Sequence, residues 1–501
     1  MVKSEGVQRE SDGVVVPVIG VEQNAPGGKG PDFGHAGRVG KRVGMTGVSR
    51  SNYPHGPEPV VAVDGAPCAV KVRGLQRRLW TVAKQQPERR FHALFDRVHR
   101  GDVLWEAWQR VRVNRGAAGV DRVTLAYVEN EYGVSRMLGE LQQSLRSGSY
   151  RPAPARRVDI PKPAGGYRPL GIPTVADRVA QAAAKIVLEP VFEADFEDCS
   201  FGFRPKRSAL GAKETIRKAF PRGYTHVAEA DIRGFFDNLD HEVLMGEVGR
   251  RVSDRRVLKL VGKWLRAGVL TEQGVERTVA GTPQGGVISP LLANIYLHAF
   301  DRELKRRSMG LLVRYADDFV IMCRSGSQAQ VALETARQVL GSMGLQLHPD
   351  KTRVVDLREG REGFDFLGCH FRARMSGRLW EQKRVVRYYL HRWPSQQAMK
   401  RLRGKVRDRT GRSRAGTPIE WIIEDDLNPI LRGWGNYFRT GNAAVKFGQI
   451  DDYVYRRLRR VQVKKRGRNL RAGQADQWTS DWFHERGLYR LRGTVRYPRA
   501  A

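Results

Sequence analysis

The chain has 501 residues, a length that suggests roughly two to four domains and enough material for a sizeable hydrophobic core. Lysine and arginine number 88 against 53 acidic residues, which gives a formal net charge of +35. A positive field of this strength favours a polyanionic partner, and nucleic acid is the usual one. No run of about 18 apolar residues occurs, so the sequence predicts no transmembrane helix and no membrane partner.

The cysteines and the N-terminus indicate the compartment. Cys68, Cys199, Cys323 and Cys369 are far apart and form no CxxC pair, which argues against a zinc site and for a reducing environment. The start of the chain lacks the charged, apolar and cleavage segments of a secretion signal. Together these features predict a cytoplasmic protein.

The first third of the chain contains a change of pattern. Residues 1–72 are rich in glycine, valine, proline and serine without periodicity, and we expect them to be disordered or poorly ordered. From residue 73 onward apolar residues recur at near-helical spacing, which indicates helices packed on a core. Residues 150–175 are rich in proline and glycine and predict two extended arms joined by a turn at Gly165-Gly166. A helix is expected over 177–188.

Two later segments predict a sheet with acidic residues at its edge. Residues 227–232 have the pattern of a strand, with Asp231 near its end. Residues 311–322 predict two apolar strands around a tight turn that contains Asp317 and Asp318.

These three aspartates are the candidate catalytic centre. Two carboxylates beside each other at an apolar hairpin repel unless a cation lies between them, and Mg²⁺ prefers such oxygen ligands. If the earlier strand lies beside the hairpin, Asp231 faces Asp317. Two Mg²⁺ ions about 4 Å apart could then lower the barrier to an in-line phosphoryl displacement. Asp231, Asp317 and Asp318 are therefore the predicted catalytic and metal-binding residues.

The same segments resemble a known family. Tyr315-Ala316-Asp317-Asp318 resembles the signature turn of reverse transcriptases, and residues 231–237 resemble the palm motif that precedes it. Further blocks follow in the order that this family shows, at 281–290, 344–352 and 366–368. The resemblance implies an RNA-directed DNA polymerase of the α+β class. It would have a right-hand architecture over 73–375, with fingers and a palm built on a ferredoxin-like antiparallel sheet.

The resemblance also implies a set of residues that bind the dNTP. Lys162 and Arg168 match the fingertip cations that hold the triphosphate, a group that needs several cationic donors. Phe236 matches the aromatic residue that packs under the sugar and excludes a 2′-hydroxyl. Gln284 is expected to contact the nucleotide or the template strand, and Lys351 to neutralise charge near the carboxylates.

The C-terminal part carries much of the excess charge. From residue 371 to the end there are 32 lysines and arginines against 11 acidic residues. Two predicted helices, over 396–409 and 452–465, place apolar residues on one face and basic residues elsewhere. The first suits a thumb helix along a duplex, and the second suits binding of structured RNA through its phosphates. The candidate RNA- or DNA-binding residues are Lys400, Arg401, Lys405, Arg456, Arg457, Arg460, Lys464 and Lys465.

Residues 427–438 contain the run Gly433-Trp434-Gly435-Asn436-Tyr437-Phe438, which resembles the maturase region, or domain X, of group II intron-encoded proteins. Asn428 and Pro429 are expected to cap and open a helix, and its glycines indicate close packing against a neighbour. We therefore expect a helical thumb and maturase domain over 376–470. A basic tail over 471–501, with Trp478, Trp482 and Phe483, is a candidate DNA contact.

The resemblance implies two linked activities. The protein would bind its own group II intron RNA to promote splicing. It would then copy the intron by target-primed reverse transcription, with dNTPs and a primer strand of the DNA target. A bacterial, nucleoid-associated location follows, and a homodimer is left open. The family often carries an HNH endonuclease. Because 35 residues follow Arg466 and no paired-cysteine metal site exists, we expect the endonuclease to be absent.

Two alternatives stay open from the residues. One is an RNA-binding splicing factor without polymerase activity, which predicts a missing catalytic carboxylate, whereas all three are present. The other is a reverse transcriptase recruited to a CRISPR or defence system, and the neighbouring genes would separate it from an intron protein.

Overall fold

The structure is a computed structural model. It describes residues 65–161, 166–271, 274–276, 281, 285–414, 416–467, 470–471 and 473–497. Two of the predicted nucleotide-binding residues, Lys162 and Gln284, lie outside the described residues, as does nearly all of the predicted N-terminal extension. No helix of the described residues is long and apolar enough to cross a membrane.

The described chain alternates helices with short sheets, which are antiparallel except where β1 pairs in parallel with β4. The helices are α1 (Gly65–Gln85), α2 (Phe95–Val98), α3 (Gly101–Val113), α4 (Leu125–Tyr127), α5 (Val134–Ser147), α6 (Val175–Glu193), α7 (Ala209–Ala219), α8 (His241–Gly249), α9 (Arg255–Leu265), α10 (Ser289–Arg306), α11 (Gly326–Ser342), α12 (Gly377–Lys383), α13 (Gln396–Arg409), α14 (Ile419–Trp421), α15 (Asn428–Phe438), α16 (Ala444–Arg466) and α17 (Ser480–Glu485). The strands are β1 (Ala155–Pro161), β2 (Tyr167–Ile172), β3 (His226–Asp231), β4 (Val269–Thr271), β5 (Gly274–Glu276), β6 (Leu311–Tyr315), β7 (Asp318–Cys323), β8 (Arg353–Asp356), β9 (Gly363–Phe366), β10 (Cys369–Met375) and β11 (Tyr388–Pro394).

The N-terminal helices pack around α6. The hydroxyl of Thr174 accepts a hydrogen bond from the backbone N–H of Asp177 and caps this helix, which contains the helix predicted over 177–188. Most of its side chains are buried, because α1 and α3 both pack against it. Helix α1 begins at Gly65, inside the segment expected to be disordered, and its Val72 belongs to the same core.

The two arms predicted over 150–175 are the antiparallel strands β1 and β2, paired from Arg156 with Ile172 to Pro161 with Tyr167. They form one sheet with β4 and β5, in the order β2-β1-β4-β5. The two arms therefore pair along nearly their whole length, and Arg168 on β2 is exposed.

The central sheet has the order β6-β7-β3-β8, and each neighbouring pair is antiparallel. Successive residues of a strand point to opposite faces. Ala228 and Ala230 of β3 enter a first core with the helices described above, whereas Val227 enters a second core. Because both faces are covered, the sheet is fixed from two sides, and the predicted antiparallel palm is confirmed.

The second core also holds the C-terminal helices and the sheet β11-β10-β9. The apolar stripe predicted on 396–409 is buried in α13, as is the seam of Val454, Leu458 and Val461 in α16. The C-terminal helices therefore share one hydrophobic core with a face of the palm sheet. The four cysteines are free.

The predicted cap at Asn428 is wrong. Helical backbone runs without interruption from Ile419 to Phe438, so Asn428 lies inside a helix and its side chain is free to bind elsewhere. Its amide donates to the carbonyl of Gly487, and its carbonyl accepts from the backbone N–H of Tyr489. Asn428 thus fastens the C-terminal segment to α15.

That C-terminal segment is part of the fold. Trp478 and Phe483, expected at a DNA contact, are buried among the side chains of the second core. A Cβ at Gly435 would lie 2.6 Å from a methyl carbon of Leu491, which accounts for the close packing predicted at this glycine. Gly433 has no neighbour within 4 Å of such an atom, so the same prediction is wrong there.

Candidate active site

The three aspartates lie together at one edge of the central sheet. Strands β6 and β7 are joined by the two-residue turn Ala316-Asp317, and Tyr315 pairs with Asp318. The sequence had placed Asp318 in the turn, but the residue belongs to strand β7. In the register of β3 with β7, Asp231 is the partner of Asp318. The expectation that Asp231 faces Asp317 is thus off by one residue, because Asp317 lies beyond the last strand pair.

The electrostatics of this edge follow from burial and like charge. Asp317 and Asp318 are half-buried. Burial, and then the neighbouring Asp231, raise the pKa of Asp317 above its ordinary value. Burial, Asp231 and Asp317 together raise the pKa of Asp318 to about 8. Arg168 and Lys351 lower the pKa of Asp317 and so partly offset these effects. The site disfavours its own negative charge and would gain from a bound cation.

The donor set fits a hard divalent cation, which takes carboxylate oxygens. The geometry is not that of a preformed metal centre, since no group of three or more His, Cys, Asp or Glu side chains within the described part of the chain is arranged to hold one. The ammonium of Lys351 donates to Asp231 at 2.7 Å. The positive charge of this lysine therefore lies against the carboxylate of Asp231.

Phe236, the residue predicted to lie under the sugar, follows Asp231 by five residues in the chain. Phe236 is half-buried and packs edge-to-face on Phe235, with ring centroids 5.2 Å apart. A Cβ at Gly281 would lie 2.7 Å from the carbonyl oxygen of Phe236, so the backbone at 281 lies directly against this segment. At Gly285 such an atom would lie 2.5 Å from the carbonyl of Gly171 in β2. Two glycines of the block at 281–290, Gly281 and Gly285, therefore lie against the backbone of Phe236 and of β2 respectively.

Sequence analysis missed Arg314, whose side chain is completely buried behind the turn. Its guanidinium forms an ion pair with Asp301 of α10 and donates to the carbonyl of Ala316. A charged residue within the apolar strand Leu311–Tyr315 was the available signal, because such a charge requires a buried partner.

The candidate RNA-binding residues fall into two groups. Lys400, Arg401, Lys405, Arg460, Lys464 and Lys465 are exposed. Arg456 is exposed and pairs with Asp452 on its own helix. Arg457 is half-buried, and its guanidinium donates to the hydroxyl and carbonyl of Thr410 and to the carbonyl of Arg407, at the end of α13. Its side chain therefore binds the C-terminal end of α13.

An antiparallel palm sheet with three aspartates at one edge, followed by basic helices, defines a polymerase of the reverse transcriptase class. Residues 160–371 match the family model "Reverse transcriptase (RNA-dependent DNA polymerase)". Residues 399–478 match the model "Group II intron, maturase-specific domain".

Individual relatives agree with these matches. Protein YkfC of Escherichia coli is 36% identical over 353 residues, which covers 62% of this chain and 91% of YkfC. The group II intron-encoded protein LtrA of Lactococcus lactis is 40% identical over 216 residues, which covers 42% of this chain but only 35% of LtrA. A telomerase structure from Candida albicans aligns with 67% of this chain, and the alignment covers 64% of the telomerase chain. The sequence identity is 15% and the TM-score is 0.35, so the likeness is distant.

The chain belongs to the group II intron-encoded reverse transcriptases that carry a maturase domain. It is an RNA-directed DNA polymerase with a splicing-maturase function, and it binds intron RNA. The reverse transcriptase family uses divalent metal ions.

Proposed function

We propose that Asp231, Asp317 and Asp318 carry the polymerase chemistry and are the ligands of two Mg²⁺ ions. The observation that supports this most is the register of the central sheet, which makes Asp231 and Asp318 cross-strand partners and places Asp317 at the adjoining turn. When bound, Mg²⁺ neutralises phosphate charge and activates the primer 3′-hydroxyl.

The neighbouring side chains divide the remaining work. Arg168, exposed on β2, and Lys162 beyond the described residues bind the triphosphate of the dNTP as cationic donors. The ring of Phe236 lies under the sugar and excludes a 2′-hydroxyl. Gln284 contacts the nucleotide or template. Lys351 holds Asp231 through its ammonium and balances the charge of the carboxylates.

Incorporation of a single dNTP on an RNA template tests this assignment. Asp318→Asn keeps the size of the side chain and removes its charge, and we expect it to abolish incorporation while primer-template binding persists. Asp350→Asn is the matched control, because Asp350 is an exposed carboxylate beside Lys351. Wild-type rates from Asp318→Asn, or an equal loss from Asp350→Asn, would contradict the assignment.

For the maturase function, we propose that the exposed lysines and arginines of α13 and α16 bind the phosphates of the group II intron RNA. The two helices pack together through Tyr453, whose hydroxyl donates to the carbonyl of Arg403, and through Arg457. The exposed basic residues are therefore carried by two helices that pack against each other. The same enzyme would then copy the integrated intron from a primer strand of its DNA target, in the bacterial cytoplasm at the nucleoid.

Binding of the intron RNA as a function of salt tests the maturase surface. Neutralising Lys400, Arg401 and Lys405 with glutamine should weaken binding and reduce the slope of log K against log salt by roughly 2–3. Arg337→Gln on α11 is a suitable control, because Arg337 is exposed and pairs with Glu334. An unchanged slope in the triple variant would exclude this surface.

A further inference from the structure

The buried guanidinium of Arg314 uses all of its hydrogen-bonding capacity. Its Nε and one Nη donate to the two carboxylate oxygens of Asp301, at 2.7 and 2.5 Å. The same Nη donates to the hydroxyl of Ser200 at 2.9 Å. The other Nη donates to the side-chain oxygen of Asn294 at 3.2 Å and to the carbonyl of Ala316 at 3.0 Å. An arginine has five N–H donors, and each of them has an acceptor here.

These acceptors come from three separate parts of the chain. Asp301 and Asn294 lie on α10, Ser200 lies on the segment after α6, and Ala316 lies in the turn that precedes Asp317 and Asp318. One side chain therefore connects a long palm helix to the backbone of the turn.

A second contact runs through the same partners. The amide of Asn294 donates to the carbonyl of Gly202 at 2.8 Å. A Cβ at Gly202 would lie 2.5 Å from the backbone nitrogen of Ala316. The backbone at 202 is thus pressed against the turn, and Asn294 fixes its distance from α10.

The turn needs such support because its backbone is strained. Ala316 has a φ of 57°, in the left-handed region that costs free energy for a residue with a Cβ. Its carbonyl accepts a hydrogen bond from a cation, which is stronger than a neutral one. The bond from Arg314 is directed at the residue whose conformation would otherwise relax.

We propose that Arg314 is a positioning residue for DNA synthesis. It holds Ala316 in its left-handed conformation and thereby sets the positions of Asp317 and Asp318, while Asp301 and Asn294 hold Arg314. Arg314 itself touches neither substrate nor metal. The inference rests on the proposed catalytic roles of Asp317 and Asp318.

The chain offers a matched control in Arg251. This arginine is also buried, pairs with Asp195 at 3.1 Å, and donates to the backbone carbonyls of Ala83 and Gln86. Its partners lie in α1 and directly after α1 and α6, and none of them belongs to the turn. Replacing either arginine with lysine keeps the charge but removes the planar fork of donors.

The experiment compares Arg314→Lys with Arg251→Lys in the full chain, well below the unfolding temperature of each. The readouts are the unfolding temperature, the kcat and KM for dNTP on an RNA template, and the Kd for primer-template. We expect similar losses of unfolding temperature. For Arg314→Lys, kcat should fall by on the order of 10²-fold with KM and Kd unchanged, since a small misplacement of reacting groups can cost that much. Arg251→Lys should keep the wild-type kcat.

A fall in kcat for Arg314→Lys no larger than that for Arg251→Lys would overturn the proposal and make Arg314 an ordinary core residue. If Arg314→Lys does not fold, Asn294→Ser is read in the same way, because it removes one bond to Arg314 and the bond to Gly202. The catalytic assignment is checked separately with Asp317→Asn. If Asp317→Asn is active, the proposed function fails. If Asp317→Asn is inactive and Arg314→Lys keeps the wild-type kcat, only the positioning role of Arg314 is excluded.

Discussion

Replacing Asp318 with asparagine should stabilise the metal-free protein as it abolishes activity. The folded state raises the pKa of Asp318 from 3.8 to about 8, mainly through burial and then through Asp231 and Asp317. A group whose pKa is raised on folding contributes stability below its unfolded pKa, and that contribution is lost as the pH rises through the folded pKa. The metal-free wild type should therefore lose stability between about pH 4 and pH 8.

The stabilisation expected from Asp318→Asn at high pH has an upper bound. A shift of this size corresponds to about 5–6 kcal/mol at 1.36 kcal/mol per pKa unit. Asp318 is partly accessible to solvent and shares its titration with Asp317, so we expect roughly 1–3 kcal/mol. For a domain of this size that equals several degrees of unfolding temperature, at about 2–4 °C per kcal/mol.

Thermal unfolding of wild type and Asp318→Asn in the presence of a chelator measures this directly. The variant should unfold at a higher temperature than the wild type at pH 8, and the difference should shrink at pH 5. Added Mg²⁺ should raise the unfolding temperature of the wild type at pH 8 more than that of the variant. If the variant is no more stable than the wild type at pH 8, the negative charge of Asp318 does not destabilise the metal-free fold and the reasoning is wrong.

Three further predictions concern other parts of the chain. Gly435→Ala should lower the free energy of unfolding by about 1–3 kcal/mol, because its Cβ meets a buried side chain. Gly433→Ala on the same helix should raise the free energy of unfolding by about 0.5–1 kcal/mol, and denaturant unfolding compares the two variants. Phe236→Val should increase incorporation of ribonucleotides relative to deoxynucleotides, measured as the ratio of kcat/KM values, and an unchanged ratio would remove Phe236 from the sugar site. Arg457→Ala should destabilise the fold by about 1–3 kcal/mol, because it leaves carbonyls at the end of α13 unpaired. Arg460→Ala should leave stability unchanged and weaken RNA binding. Thermal unfolding and filter binding distinguish these two effects.

The sequence was informative where periodicity and local chemistry act alone. The stripe of Ala398, Met399, Leu402 and Val406 was readable because a helix must bury one face, and the structure buries all four. The strands around Tyr315 were readable because apolar runs flank a short turn.

The errors arise where distant parts of the chain meet. The partner of Asp231 depends on the register between strands that are far apart in sequence, which local pattern does not determine. Asn428 looked like a cap because the preceding helical turns were not recognised. The hydrogen bonds of Arg457 could not be predicted, because its acceptors, near Thr410, come from another helix. The network of Arg314 was invisible for the same reason, since its partners come from α10 and from the segment after α6.

Primer extension on an RNA template with Mg²⁺ tests the central claim most directly. The wild type should synthesise full-length complementary DNA, and Asp317→Ala should synthesise none while it still binds primer-template. No product from the wild type, or full activity in Asp317→Ala, would contradict the assignment of the polymerase centre to these aspartates.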